Sequence, residues 1–247
     1  MKEMVYKLDF LLGLVTTFVY MAVQILLIKL FFTASGLDNI AGYTEAEFLF
    51  VFYMIQIMMG FQFVFVYPSL DLAANQIFTG NLDFILIKPI NTVFVTSMQK
   101  VSMTVGLIIV VYLLFFFSVI KQVFSVFEIA RFMQLLYVLI LSNILFFCMI
   151  WISSLLWFIW PRFKSLRWFI HNTQDITRYP REFYPKILQN MLVYLIPMFL
   201  IINPVFMIIK NTYTWGDFWL MISMTTIVVM IYLLLWRDGL RRYSSAA

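Results

Sequence analysis

Residues 68–100 read PSLDLAANQIFTGNLDFILIKPINTVFVTSMQK and lie between two long apolar runs. Leu70, Ala73, Ala74, Ile77 and Phe78 recur at i, i+3, i+4, i+7 and i+8, the stripe of an amphipathic helix. Ser69 has the side chain of an N-cap, and Asp71 falls in the first turn, where the helix dipole favours an acid. Gly80 suits the left-handed residue that ends such a helix, and Asn81 can cap a second short one. Leu82, Ile85 and Leu86 continue the stripe until Pro89 stops it. This is the pattern of a short helix lying flat at a membrane face.

The flanking sequence supplies the membrane. The chain is 64% hydrophobic and 12% charged, with a mean hydropathy of +0.95. Soluble domains run near ~45–50% apolar and ~25% charged. Crossing ~30 Å of hydrocarbon takes about 20 apolar residues, and six runs meet that length: Phe10–Phe32, Phe48–Tyr67, Thr96–Ile120, Phe132–Trp160, Ile187–Ile209 and Phe218–Trp236. The expected fold is an all-α integral membrane protein, a single transmembrane domain over residues 1–247 with six helices. The amphipathic segment, residues 69–90, falls between the second and third. The first run begins close to Met1 and exceeds a signal-peptide core, so it is read as a retained span. A single cysteine, Cys148, lies inside the fourth run and excludes an intrachain disulfide or a multi-cysteine metal site.

Charge sets the orientation. With a cytoplasmic N-terminus, the inner segments hold Lys2, Lys7, Lys88, Lys100, Arg162, Lys164, Arg167, Arg178, Arg181, Lys186, Arg237, Arg241 and Arg242. The outside keeps Lys29, Lys121, Arg131 and Lys210. That asymmetry follows the positive-inside rule and places both termini in the cytoplasm. The net charge of +5 is then a topology signal and a contact with anionic lipid. No base-reading motif accompanies it, so nucleic acid is not an expected partner.

Few residues inside the spans suggest chemistry. Lys29 sits near the outer end of its span, where it can snorkel to the headgroups. Gln56 and Gly60 share a helix face and suit a close packing seam. Trp151, Trp157 and Trp160 resemble an aromatic belt at the inner end of the fourth run. His171 and Asp175 stand at i and i+4, a surface pair with neither a nucleophile nor a metal partner beside them. The fifth run is interrupted by Pro197 and Pro204, and broken helices in membranes free carbonyls that must face protein or a watery cavity. With Tyr184, Pro185 and Asn203, these prolines mark the candidate gate or pathway.

Three stretches resemble a known family. Gly80-Asn81-Leu82-Asp83, followed by Leu86, Lys88 and Pro89, is similar to the G-x-L-D-x-x-L-x-(R/K)-P signature after the second span of bacterial ABC type-2 exporter permeases. Arg178-Tyr179-Pro180, Tyr184-Pro185, Ile196-Pro197, Asn203 and Pro204 resemble that subfamily's R-Y-P…Y-P…I-P…P pattern. Gly239-Leu240-Arg241-Arg242-Tyr243-Ser244-Ser245-Ala246 is similar to its closing G-L-R-R-Y-S-S-A. The resemblance implies a six-span permease whose segment between spans two and three is a coupling helix docking on an ATPase. On that reading Asp71, Ile77, Phe78, Gly80, Leu82, Asp83, Leu86, Lys88 and Pro89 form the coupling site. It further implies two ATPase subunits carrying ATP and Mg, a second permease subunit that is identical or related, and a bacterial plasma membrane location. In the wider permease class a proline-bearing segment before the last span forms a broken or re-entrant helix. That would let residues around His171 to Tyr184 enter the membrane, whereas charge counting leaves residues 162–186 in the cytoplasm.

The chain itself lacks G-x-x-x-x-G-K-[ST], so ATP hydrolysis is expected on a partner and no cofactor is expected here. The competing class is a self-sufficient secondary transporter or channel. Such proteins usually carry intramembrane carboxylates or inverted repeats, and the Asp and Glu residues here fall at or beyond the ends of the runs.

Overall fold

A computed structural model describes residues 7–40, 42–123, 129–159, 169–170, 172–173 and 178–243. The described residues fold into helices and a two-stranded hairpin, and the chain divides into two compact units. The first unit comprises residues 1–64 and 102–133, the second residues 65–101 and 134–247.

In the first unit, α1 (Lys7–Ser35) leads into a hairpin of β1 (Asn39–Ile40) and β2 (Tyr43–Thr44), then α2 (Glu45–Phe61). The loop acids have a structural use here. Thr44 Oγ1 accepts the Glu47 N–H, and Glu47 Oε2 accepts the Thr44 N–H at 2.7 Å, a capping box that fixes where α2 begins. Helix α2 packs against α6 (Met103–Val123), and α1 lies against both. Phe50 meets Phe116 at 4.8 Å between ring centroids, and Tyr53 stacks on Phe115 at 6.0 Å. A Cβ on Gly60 would come within 2.5 Å of Ile109 Cγ1, so this glycine permits the approach of α2 and α6. The seam expected from Gln56 and Gly60 is the α2–α6 contact. Most of α1, in contrast, keeps its apolar side chains exposed.

The second unit begins with α3 (Tyr67–Phe78), and here the expectation for residue 69 needs correction. Residues 62–66 form a π-type turn that carries the helix on from α2, so Glu45–Ile77 is a 33-residue helical stretch. A helix entered from a preceding helix has no orphan N–H groups for Ser69 to cap, and Asp71 is not in a first turn. The apolar stripe holds, but Leu70 and Ala73 turn it inward, where both are fully buried. Helix α3 closes in a Schellman motif: Asn81 N–H donates to Gln76 C=O, and Gly80 N–H to Ile77 C=O, with Gly80 at φ +72°. Asn81 does not cap α4 (Asp83–Leu86). Its amide donates to Thr79 Oγ1, and Leu82 occupies the cap position without a side-chain bond.

After Pro89, Asn91 Oδ1 accepts from Val93 and Phe94 N–H and starts α5 (Thr92–Ser97). The third apolar run was expected from Thr96, yet Thr96 and Ser97 close this short helix and α6 starts at Met103. Helix α5 packs on α3 and α4.

The remainder of the second unit is built on α7 (Ile129–Ile159, of which residues 134–159 belong to this unit), α8 (Lys186–Asn190), α9 (Phe199–Ile209) and α10 (Trp215–Arg242). Thr214 and Asp217 form a second capping box at the start of α10. Trp151 is buried and meets Trp236 at 5.9 Å and Tyr232 at 6.3 Å, so it faces protein. Trp160, His171 and Asp175 lie outside the described residues.

Among the described residues, four helical stretches are long and apolar enough to cross a membrane: Leu11–Ser35, Glu45–Ile77, Ile129–Leu156 and Trp215–Arg242. Helix α6 holds a shorter apolar stretch, Ile109–Ile120. The run Ile187–Ile209, expected as a span broken by Pro197 and Pro204, is a bent pair that by length and composition can make a fifth, broken span. Lys186–Leu195 and Phe199–Ile209 meet at 115°.

Candidate functional site

The nine residues expected at the coupling site do not share one face. Leu82 is 1% exposed and Ile77 is partly buried. Together they line a shallow hollow with Leu155 of α7 and with Trp236, Gly239, Leu240 and Tyr243 of the last turns of α10. The segment around Gly80 is therefore seated on the C-terminal turn of the same chain, and two sequence motifs 150 residues apart meet there. Asp83 and Leu86 are half-buried, while Asp71, Lys88 and Pro89 are exposed. The side chain of Phe78 lies outside what is described.

Two residues absent from the sequence assignment complete the outer side. Phe84 is 67% exposed and Ile87 is 78% exposed, flanking Lys88. The signal was present as an offset: Phe84 and Ile87 are i and i+3, rotated away from the stripe of Leu82, Ile85 and Leu86. Choosing between the two faces required knowing which one α7 and α10 cover.

The candidate gate residues lie on two segments that touch, through Tyr184 on Phe199 and the Arg181 N–H on Asn203. Pro197 is the corner of a three-residue turn in which Met198 N–H donates to Ile196 C=O, a geometry matched to the fixed φ of proline. A π-type turn, residues 191–195, ends just before it. Beyond the turn every residue of α9 is buried, including Pro204. Asn203 Oδ1 accepts the Arg181 N–H at 3.1 Å, which ties α9 to the loop that follows Tyr179 and Pro180. Tyr184 packs its ring on Phe199 at 5.4 Å, and its carbonyl accepts from Gln189 Nε2 at 2.8 Å. Pro185 is exposed and precedes α8. The Arg-Tyr-Pro and Asn-Pro motifs are thus brought together by a side-chain-to-backbone bond across 22 residues.

Sequence reasoning passed over Ser142. This serine of α7 is fully buried, and its hydroxyl donates to the Ile201 carbonyl at 2.7 Å, with the Leu200 carbonyl 3.5 Å away.

Residues 18–247 match the family model described as ABC-2 family transporter protein. This chain belongs to the ABC-2 transporter family. Comparison with curated proteins and with solved structures returned no match. Membership makes the chain a multi-pass membrane permease, in keeping with its long apolar helices. In this ABC-2 transporter the motifs pair off in space: the segment around Gly80 with the turn around Gly239, and the Arg178 loop with the Asn203–Pro204 helix.

Proposed function

We propose that this chain is the membrane subunit of an ATP-driven exporter, contributing half of a translocation pathway and coupling to a separate ATPase. The observation that carries the reading is the two-sided character of residues 68–100. Their inner side, Leu70, Ala73, Leu82 and Ile85, is buried against the chain's own helices. Their outer side presents Phe84, Ile87, Lys88 and Pro89. An anchor that merely lay on lipid would need an outward apolar stripe and no rigid seat. A segment that transmits force needs both a seat and an exposed contact, and bulky apolar residues beside a cation suit docking on a protein.

In this reading the assembly holds two ATPase subunits, which bind ATP and Mg, and two permease subunits, identical or related, with six spans each. Both termini face the cytoplasm of a bacterial cell, and lipid surrounds the exposed apolar faces. The bent pair, residues 186–209, forms a gate or part of the path, with Tyr184, Pro185, Pro197, Asn203 and Pro204 shaping it. Co-expression with a candidate ABC ATPase subunit tests the proposal. The two should co-purify, and Ile87→Asp should release the ATPase while the permease stays in the membrane. Gradient-driven transport by the chain alone, with no ATPase bound, would instead establish the secondary-transporter class.

A further inference from the structure

Helix α5 is polar on its buried side and apolar on its exposed side. Thr96 and Ser97 are 0% and 4% exposed. Each hydroxyl donates within its own helix, Thr96 Oγ1 to Thr92 C=O at 2.7 Å and Ser97 Oγ to Val93 C=O at 2.6 Å. So satisfied, both are buried at little cost in a helix that packs on α3 and α4. Ile90, Phe94, Met98 and Val101, spaced at i, i+4, i+8 and i+11, are exposed instead, Phe94 by 63%. A helix facing water carries the opposite arrangement. The depth of this stripe follows from Ser69. The apolar run Phe48–Tyr67 covers ~30 Å as a helix, so Ser69 stands at the edge of the hydrocarbon. Its hydroxyl bonds to both backbone groups of Lys100, which sets Lys100 at the same depth. Helix α3, on which α5 packs, ends at Phe78, ~14 Å further along at the rise of a helix. The foot of the stripe therefore lies in the headgroup layer. Charge agrees with that place: residues 84–101 hold Lys88 and Lys100, both exposed, and no carboxylate.

We infer that residues 90–101 are a lipid-binding element that rests on the bilayer surface, with Phe94 and Met98 at the boundary of headgroups and acyl chains and the Lys100 ammonium on the phosphate of an anionic lipid. The bilayer is an interface that a multi-pass ABC-2 chain already has, and the stripe continues it from the foot of α3. The segment around Gly80 and α5 then serve different partners. Phe84 and Ile87 remain for a protein, whereas α5 leans on lipid and, through its packing on α4, ties the direction of the tip to the membrane surface. Which leaflet is met follows from the orientation read in the sequence. The lipid contact depends neither on that orientation nor on the exporter reading.

Fluorescence quenching on the full-length chain, reconstituted in vesicles without ATPase, tests the contact. Phe94→Cys, Met98→Cys and, as a reference, Ile87→Cys each carry a bimane label in a Cys148→Ala background. All three labelled sites are exposed, so the labels leave the core untouched. Brominated phosphatidylcholine should quench the labels at positions 94 and 98 and spare the one at 87, while aqueous acrylamide should do the reverse. In mixed vesicles, brominated phosphatidylglycerol should outcompete brominated phosphatidylcholine at position 98. Lys100→Gln should reduce that preference about fivefold, the effect of one lysine at a charged surface. Equal acrylamide access at 87, 94 and 98 overturns the inference. So does shielding of 94 and 98 that begins only when an ATPase subunit is added, which would make this face a protein contact. A lipid preference unchanged by Lys100→Gln also overturns it. Because no ATPase is present in the vesicles, failure of the exporter reading leaves this result standing. Failure of the lipid contact likewise leaves ATPase co-purification intact.

Discussion

Ser69 holds Lys100 by both of its backbone groups: the Ser69 hydroxyl accepts the Lys100 N–H at 3.1 Å and donates to the Lys100 carbonyl at 3.0 Å. The serine is fully buried, and the two residues close a loop of 31 positions. Everything between them, α3 to α5, is stapled at its base. With the burial of Leu70, Ala73, Leu82 and Ile85, the staple fixes the direction of a segment that carries exposed Phe84 and Ile87 at its tip.

Ser69→Ala removes both bonds to the Lys100 backbone. The expected cost is about 1–3 kcal/mol, concentrated in residues 68–100. Limited proteolysis of the purified permease should then cut between Thr79 and Met98 faster than in the wild type, and thermal unfolding should begin earlier. Unchanged cleavage would mean that the packing of α5 on α3 and α4 suffices without the staple.

Gly80→Val probes the turn between the seated helix and the exposed tip. A β-branched side chain at φ +72° is strained by about 1–2 kcal/mol or more, and relief would misdirect α4. The permease should still insert, but retention of the ATPase subunit or coupling of its hydrolysis to transport should fall. Asp83→Lys, which reverses one charge and leaves the apolar stripe intact, should have the same direction of effect. Normal retention and coupling in both variants would return the segment to a membrane anchor.

Leu82→Asp and Ile87→Asp separate the two sides of that tip. Burying a carboxylate against Trp236 and Leu155 should destabilise the fold itself by several kcal/mol. At Ile87, which is exposed, the same change should leave thermal unfolding within about 0.5 kcal/mol of wild type. The measurement is thermal unfolding in detergent alongside ATPase pull-down, and Ile87→Asp should lose only the second.

Gly60→Ala tests the α2–α6 seam. The added methyl would press on Ile109 Cγ1, a branch atom close to the backbone that cannot swing aside as a chain end can. Overpacking of this kind costs typically 1–3 kcal/mol. A lowered unfolding temperature is expected, and Gly60→Ala combined with Ile109→Ala should recover most of it.

Orientation has its own check. Reporters placed after Ala247 or near Asn91 should be cytoplasmic, and one near Gly42 external, from the cation asymmetry of the sequence. An external signal after Ala247 would break the six-span arrangement.

The membrane class, the helical fold and the family were all legible in the chain alone. Hydropathy is a local property that any ~20-residue window reveals, and short motifs around Gly80, Arg178 and Gly239 resemble the permease class whose family model matches residues 18–247. The left-handed Gly80 was equally readable, since only glycine takes that conformation without strain. Boundaries were less so. Whether Ser69 caps a helix depends on whether the preceding turn is already helical, and Pro197 marked a break in Ile187–Ile209 without giving its 115° angle. Facing was decided by the tertiary structure alone. The sequence shows two stripes on the tip of residues 68–100, and only the covering of one by Leu155 and Trp236 tells inner from outer. Asn203 stood out beside Pro204, but its bond from the Arg181 N–H, like that from Ser142 to the Ile201 carbonyl, exists only once α9 has its neighbours. Periodicity records how apolar a face is, whereas a hydrogen bond between residues 59 positions apart exists only once the chain has chosen its neighbours.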